Sequence, residues 1–357
     1  MSNHQNYNST LPMRLAAVME QYYRCKLGDV QQIAIGVSGG PDSMALCCAL
    51  SDYFSENMPD MVIHALTVDH DLRPESGEEA AAVSAALSSL CNIEHRTLLW
   101  QHDAQPTSRI QEQARSARYL LMRTFMRERG INHLFLGHHM NDQAETFLFR
   151  LAKGSGLDGL ACMSYKSQQE DGVFICRPFL EEGKSELQKF CEEKGLDYIT
   201  DTSNEENKFA RVRLRQSMGI LSEEGLTPKR LSVTAKRISR AREALDDVAE
   251  KLYKGSILKI ETDRLVFDLY VFANQHEEFV VRMLKKAMDT LQPDREYSAR
   301  MQRIERLCVA LMEPKSFEKR TLGGVVFECD IPVSYTHLRA HETREDLVCR
   351  LLLEKKK

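Results

Sequence analysis

The sequence predicts an α/β fold, a parallel sheet covered by helices on both faces, followed by a smaller and mainly helical second domain. Two observations predict the first part. Short apolar runs alternate with helical patterns as far as about residue 219, and the first of these runs are apolar throughout, as strands buried on both faces read. One observation predicts the second part. Beyond about residue 220 the strand signals thin out, and apolar residues recur at helical spacing.

The elements follow in order. Residues 11 to 27 read as an amphipathic helix leading to a strand, Ile33 to Val37, which Ser38-Gly39-Gly40 stops. A helix runs from Ser43 to Tyr53, then a strand from Val62 to Val68 and a helix from Ser76 to about Cys91. His95 to Trp100 is the next strand, and a long helix from Arg109 to Arg129 ends at Gly130. His133 to Leu136 is a strand that runs into a helix from Asp142 to Lys153. Val173 to Cys176 and Tyr198 to Thr200 are read as strands flanking a helix from Lys184 to Lys194. Residues 228 to 254 are helical, with Leu231, Ile238, Leu245 and Leu252 seven apart; 257 to 268 form a hairpin and 276 to 311 are helical again. Arg320 to Asp330 opens a strand-rich piece. The expected organisation is 1–219, 220–318, 319–331 as the start of a further domain, and 332–357 as a tail.

Composition limits the classes of function. The 357 residues are 43% apolar and 28% charged, enough for two cores. The longest apolar runs, such as Met44 to Leu50, fall far short of the ~20 residues of a membrane span, and the opening MSNHQNYNST has no basic-then-apolar leader. No membrane partner is expected. Ten cysteines at irregular spacing, with no Cys-x-x-Cys, read as reduced cytosolic thiols, so the expected location is the cytoplasm. A net charge of −4 excludes a chain basic all over, but RNA needs only a local basic face. Lys229, Arg230, Lys236, Arg237, Arg240 and Arg242 form a run with no acid among them, read either as such a face or as a solvated one.

The most informative stretch is Ser38-Gly39-Gly40-Pro41-Asp42-Ser43, between a strand and a helix. Gly39 and Gly40 let the backbone approach an anion, and the helix start supplies N–H groups and a positive dipole end. Pro41 suits the first helical position, where its missing N–H costs nothing, and Ser38 and Ser43 add hydroxyls. The loop lacks the Gly-Lys-Ser/Thr ending of a Walker A motif and the spacing of a dinucleotide fingerprint. It resembles the loop of the PP-loop ATP pyrophosphatases, which implies ATP as cofactor, cleavage between its α- and β-phosphates, and Mg²⁺ working with Asp42.

Four further stretches narrow the resemblance. They are Val68-Asp69-His70 to Leu72-Arg73; Ile110 to Arg115, Arg118 and Tyr119; Leu136-Gly137-His138-His139 to Asn141-Asp142 and Glu145-Thr146, with Arg150 and Gly154-Ser155-Gly156; and Asp201 to Asn204 with Phe209 to Arg215. In this order the chain from 33 to about 215 is similar to the tRNA(Ile)-lysidine synthetase family. One departure is Val212, where many members carry Asn, and it weakens any polar role at that position. The resemblance implies a ligase reaction in two steps. ATP adenylates the C2 oxygen of the wobble cytidine in a CAU-anticodon tRNA(Ile), releasing pyrophosphate; the amino group of free L-lysine then attacks C2 and expels AMP. The product, lysidine, reads AUA in place of AUG. Activation is needed because an amide-like oxygen leaves poorly and AMP leaves well; positioning and charge do the rest.

Residue types fit that chemistry. With Asn141 as N-cap, Asp142 and Glu145 share one face of a first helical turn, where they would hold cationic groups of lysine or take a proton from the attacking amine. Acids in a first turn also complement the helix dipole with no further role. Arg115 would neutralise phosphate charge. His138 and His139 lie just past a strand end, where parallel-sheet sites gather, and are read with Asn141 as substrate-binding. Asp69 is read as facing the nucleotide or as a turn former. Zinc is not expected, because no second His/Cys cluster has ligand spacing. Arg211, Arg213 and Arg215 would share a face on a strand and fan out on a helix, and either way suit tRNA phosphates. The sequence leaves a homodimer open.

From about Pro332 the chain reads VSYTHLRAHETREDLVCRLLLEKKK, which resembles a recurring read-through of sequencing-adapter DNA and is set aside from functional reasoning. Two rival functions remain. One is another PP-loop tRNA-modifying enzyme such as a 2-thiolating one, which looks to paired cysteines that this chain lacks. The other is an inactive, truncated tRNA-binding form.

Overall fold

The computed structural model describes residues 10–23, 27, 30–70, 76–90, 92–101, 110–169, 171–199, 210–293, 299–313, 317–330 and 350–355. The chain divides into two compact units, Met1–Ser239 and Arg240–Lys357.

The first unit is built on a six-stranded sheet. Its strands are β1 (Gln32–Gly36), β2 (Val62–Asp69), β3 (Ile93–Leu99), β4 (His133–Leu136), β5 (Lys166–Gln168) and β6 (Phe174–Cys176), in the order β3-β2-β1-β4-β6-β5. All neighbours are parallel except β5, which pairs antiparallel with β6. The helices are α1 (Leu11–Tyr22), α2 (Pro41–Asn57), α3 (Ser76–Leu87), α4 (Ile110–Glu128), α5 (Met140–Ala152), α6 (Leu157–Leu160), α7 (Lys184–Lys194), α8 (Ala210–Glu223) and the first part of α9 (Pro228–Ser256).

Alternation along β1 shows why the strand had to be apolar throughout. Ile33 and Ile35 pack into a core with Leu15, Met19, Leu46 and Phe135. Ala34, between them, packs into a separate core with Leu66, Met122, Phe125 and Leu134. A residue pointing either way meets a helix layer, so neither face tolerates a polar side chain. Each fully buried Leu, Ile or Phe contributes about 1.5–3 kcal/mol.

Two sequence expectations need correction. Tyr198 and Ile199 are not in a strand, and Thr200 lies outside the described residues. The Ile199 N–H donates instead to the Gly39 carbonyl at 2.8 Å, so this extended piece braces the glycine loop. The short edge strand β5 was not foreseen, because Lys166, Ser167 and Gln168 carry no apolar alternation.

The second unit contains the rest of α9, the hairpin β7 (Ile257–Ile260) and β8 (Arg264–Asp268), then α10 (Leu269–Ala273), α11 (Glu277–Leu291) and α12 (Met301–Met312). β9 (Arg320–Leu322), β10 (Val325–Asp330) and β11 (Arg350–Lys355) complete a five-stranded sheet in the order β7-β8-β11-β10-β9. Phe267, Phe272, Met283, Leu284, Leu307, Phe327, Leu351 and Leu353 share its core. β11, which falls within the stretch set aside as adapter-like, is hydrogen-bonded to β8 on one side and β10 on the other.

Candidate functional site

Parallel sheets bind ligands beyond the carboxyl ends of their strands, where the strand order reverses. In this chain the reversal is at β1, flanked by β2 on one side and β4 on the other. The loops after β1 and β4 therefore come together, and they carry Ser38–Ser43 and His138–Asp142.

The loop after β1 is folded by its own residues. Gly39 has φ +79°, in the left-handed region, and a Cβ there would come within 2.8 Å of both Ile199 Cδ1 and Val83 Cγ2. Gly40 is the N-cap of α2 and has no side chain with which to cap it, while Pro41 occupies the first turn. The N–H groups of that first turn are thus left for a ligand. Ser43 Oγ donates to the Gly40 carbonyl at 3.0 Å and accepts from the Ser38 N–H at 3.2 Å, fixing the curve of the loop. Gly137 allows the second loop to touch the first: a Cβ there would sit 2.8 Å from the Asp42 carbonyl oxygen. Nothing local in the sequence signals this role of Gly137.

The N-cap of α5 is His139, which corrects the expectation that Asn141 holds that position. His139 Nδ1 accepts from the Asn141 N–H at 3.2 Å, and Asp142 Oδ2 accepts from the His139 N–H at 2.9 Å, a reciprocal capping box. Asn141 Oδ1 instead accepts from the Lys184 N–H at 3.3 Å, tying α5 to the start of α7. The other face of the His139 ring meets the glycine loop, with Nε2 3.5 Å from Asp42 Oδ2. Burial pulls the His139 pKa down, but the hydrogen bond to Asp42 and the charges of Asp142 and Asp42 outweigh it, leaving a net rise. His138 behaves oppositely: burial first, then Arg177 and Arg115, against Asp142, lower it to about 4, so it is neutral at pH 7.

Glu145 is buried and bound through both oxygens by the Arg215 guanidinium, at 2.7 and 3.1 Å. The hydrogen bond to Glu145 raises the Arg215 pKa over an opposing burial effect, with Glu145, Asp142 and Asp42 all adding in the same direction. Glu145 is thus bonded to that guanidinium, while Asp142 and Asp42 act on it through their charge. Arg215 sits on a helix, and its fork is held by Glu145. Arg213 is exposed; the Arg211 and Val212 side chains, Leu72-Arg73, Asp201–Asn204 and Phe209 lie outside the described residues.

These groups line one cavity of about 1100 Å³, shared by Ser38, Gly40–Ser43, Asp69, His70, Arg115, Arg118, His138, Asp142 and Arg215. Arg118 Nη2 lies 3.3 Å from His70 Nε2, and Arg115 stacks over Tyr119 with 5.4 Å to the ring centroid. Asp42 Oδ1 is buried and has no hydrogen-bond partner among the described residues. Such an orphaned carboxylate oxygen beside a phosphate cradle fits Mg²⁺, which binds through one or two carboxylates plus substrate phosphates. No group of three or more possible metal ligands occurs among the described residues. The sequence reading missed Arg177, Lys184, Gln188 and Tyr198; the signal for Arg177 was its place directly after a buried strand.

Comparison with known proteins gives the family. A family model described as a PP-loop domain matches residues 9–221. A tRNA(Ile)-lysidine synthase of Methylobacterium sp. (strain 4-46) is 37% identical over 308 residues, covering 84% of this chain and 87% of that protein. One from Rhodopseudomonas palustris is 34% identical over 306 residues, covering 82% and 86%. Among solved structures, a U34-tRNA thiolase from Methanococcus maripaludis aligns with a TM-score of 0.52 at 16% identity, covering 64% of this chain and 78% of that one, a likeness of fold alone. From the glycine loop to the paired carboxylates, this chain belongs to the tRNA(Ile)-lysidine synthase family, within the PP-loop class.

Proposed function

We propose that this chain ligates lysine to C2 of the wobble cytidine of a CAU-anticodon tRNA(Ile), consuming ATP and releasing AMP and pyrophosphate. The observation that carries the reading is the meeting of the Ser38–Ser43 cradle with Asp42, Asp142 and the Glu145-bound Arg215 in one cavity. The cradle takes the phosphates of ATP on backbone N–H groups and the two serine hydroxyls. Arg115, which lines the same cavity, offsets negative charge as the C2 oxygen attacks the α-phosphate. Mg²⁺ held by Asp42 would supply further neutralisation of that charge. Asp142 and Glu145 attract the cationic amine, and one of these carboxylates accepts its proton as the C–N bond forms. The reading gives 1–219 to catalysis and 220–318 to tRNA, with the basic run of α9 and Arg213 on the tRNA side. It places the reaction in the cytoplasm. No helix among the described residues is long and apolar enough to cross a membrane.

Incorporation of labelled lysine into the tRNA, with ATP and Mg²⁺, tests the reading. Label is expected with the wild-type chain and is expected to fall at least 100-fold in Asp42→Ala, the scale of losing an essential electrostatic group. Label absent from the tRNA would sink it. Release of AMP with sulfur entering the tRNA would favour the thiolating rival.

A further inference from the structure

Arg177 follows β6 directly, on the carboxyl edge of the sheet where the catalytic loops lie. Its Nη1 donates to the Ser164 carbonyl and to Ser167 Oγ, both at 3.2 Å, and its backbone N–H donates to the Tyr23 hydroxyl at 3.2 Å. Its Nε is buried without a hydrogen-bond partner, and no carboxylate among the described residues pairs with it. An arginine stays charged even where burial depresses its pKa, so this is a recessed cation with no counter-charge. That arrangement costs stability unless an anion completes it.

The guanidinium opens on a cavity of about 260 Å³ whose other walls are Arg115, Tyr119, Leu134, Val173 and Ile175. The third arginine of that cavity, Arg123, is already matched by Asp171 at 2.5 Å. Arg115 has no ion pair among the described residues; it lies on Tyr119, and both also line the larger catalytic cavity, so the two spaces share a wall. His138 lies in the fields of Arg177, Arg115 and Asp142 together. Cation-holding and anion-holding groups thus flank one neutral imidazole.

We propose that this smaller cavity is the carboxylate subsite for the amino-acid substrate. Arg177 and Arg115 take its α-carboxylate, the apolar wall and Tyr119 cover part of its aliphatic stem, and the stem delivers the side-chain amine past Tyr119 toward Asp142. The proposal rests on the lysine-ligating reading above. A backbone phosphate of the tRNA shares the oxyanion chemistry. The small, recessed cavity and the guanidinium anchored from behind favour a free carboxylate, since polymer phosphates are met by side chains on open surface.

The test compares lysine with 1,5-diaminopentane, which is lysine without its carboxylate, as substrates of the wild type, Arg177→Gln and Arg177→Lys. Pyrophosphate release from ATP and tRNA alone reports whether each variant is folded and can adenylate. The wild type is expected to prefer lysine strongly. Arg177→Gln is expected to raise the KM for lysine and cut the lysine-to-diaminopentane ratio of kcat/KM by about 10- to 100-fold, the scale of a hydrogen bond to a charged group. Arg177→Lys is expected in between, because an ammonium cannot make the bidentate contact. An unchanged ratio overturns the proposal, whether activity toward both amines is kept or falls together as for a structural prop. A rise in the KM for tRNA alone also overturns it and assigns the subsite to a phosphodiester. A wild type that labels tRNA with neither amine overturns the lysine reading itself, a result separable from the others.

Discussion

Glu145 and Arg215 set the energetic problem of the site at the scale of single residues. Glu145 is 5% exposed and its partner's side chain is 52% exposed, so the pair is buried at the acid end and open at the basic end. Removing the arginine strands a buried carboxylate, and removing the acid frees a cation into solvent. Arg215→Ala is therefore expected to destabilise by about 1–3 kcal/mol, discounted from the fully buried case because water reaches the guanidinium. The double variant with Glu145→Ala is expected to recover part of that loss, as urea midpoints of the four proteins in the cycle would show. Additive losses would mean that the pair is not coupled. Gly39 poses the opposite problem, lack of room: Gly39→Ala must strain a positive φ and push Ile199 and Val83 aside. It is expected to cost about 1–3 kcal/mol and to abolish ATP-dependent pyrophosphate release, checked by thermal unfolding and by that assay. The pairing of Glu145 with Arg215 was not legible from sequence, because 70 residues separate them and only the packing of α8 against α5 makes them neighbours.

Among elements, the start of α5 shows how one segment serves folding and chemistry together. His139 caps the helix through Nδ1 while its Nε2 faces Asp42, so the cap also spaces the two catalytic loops. His139→Ala is expected to lose about 1 kcal/mol of cap energy and, beyond that, to lower kcat by misplacing Asp42; His139→Asn, which keeps a capping side chain, should restore stability without restoring activity. Equal recovery of both by Asn would refute the second role. The sequence placed this helix within two residues of its start but chose the wrong cap, since Asn is the commoner N-cap and nothing local reveals that the imidazole is pinned by the neighbouring loop. β11 makes the complementary point about chance. Leu351 and Leu353 alternate onto the core face and are fully buried, so the segment fits between β8 and β10 whatever its origin. Ending the chain at Ile331 is expected to destabilise the second unit by about 3–6 kcal/mol, the burial of two leucines taken as an upper bound. An unchanged melting profile would show that the strand contributes nothing.

Across the whole molecule, the candidate site lies at one sheet edge, and most of the described thiols are buried away from solvent. Cys48, Cys162 and Cys191 are buried, and burial pushes each thiol up to about 11; Cys308, in the second unit, is pushed up to about 12. At pH 8 these four should resist iodoacetamide in the native protein and react at once in guanidinium, as mass spectrometry of labelled peptides would show. Rapid native labelling of Cys191 would contradict its packing against the Pro41 carbonyl at 3.3 Å.

The sequence by itself determined the strand–glycine loop–helix cradle, the parallel core and the family, because each rests on local signals: periodicity, glycine conformation and residue spacing. Only the tertiary structure decided which groups meet. It put Arg215 on Glu145, Ile199 on Gly39, and Arg177 in one cavity with Arg115, bringing together residues 62 to 160 positions apart. Side chains so distant in sequence are brought together by strand order and helix packing, which depend on the burial of the whole chain at once and leave no trace in any short window.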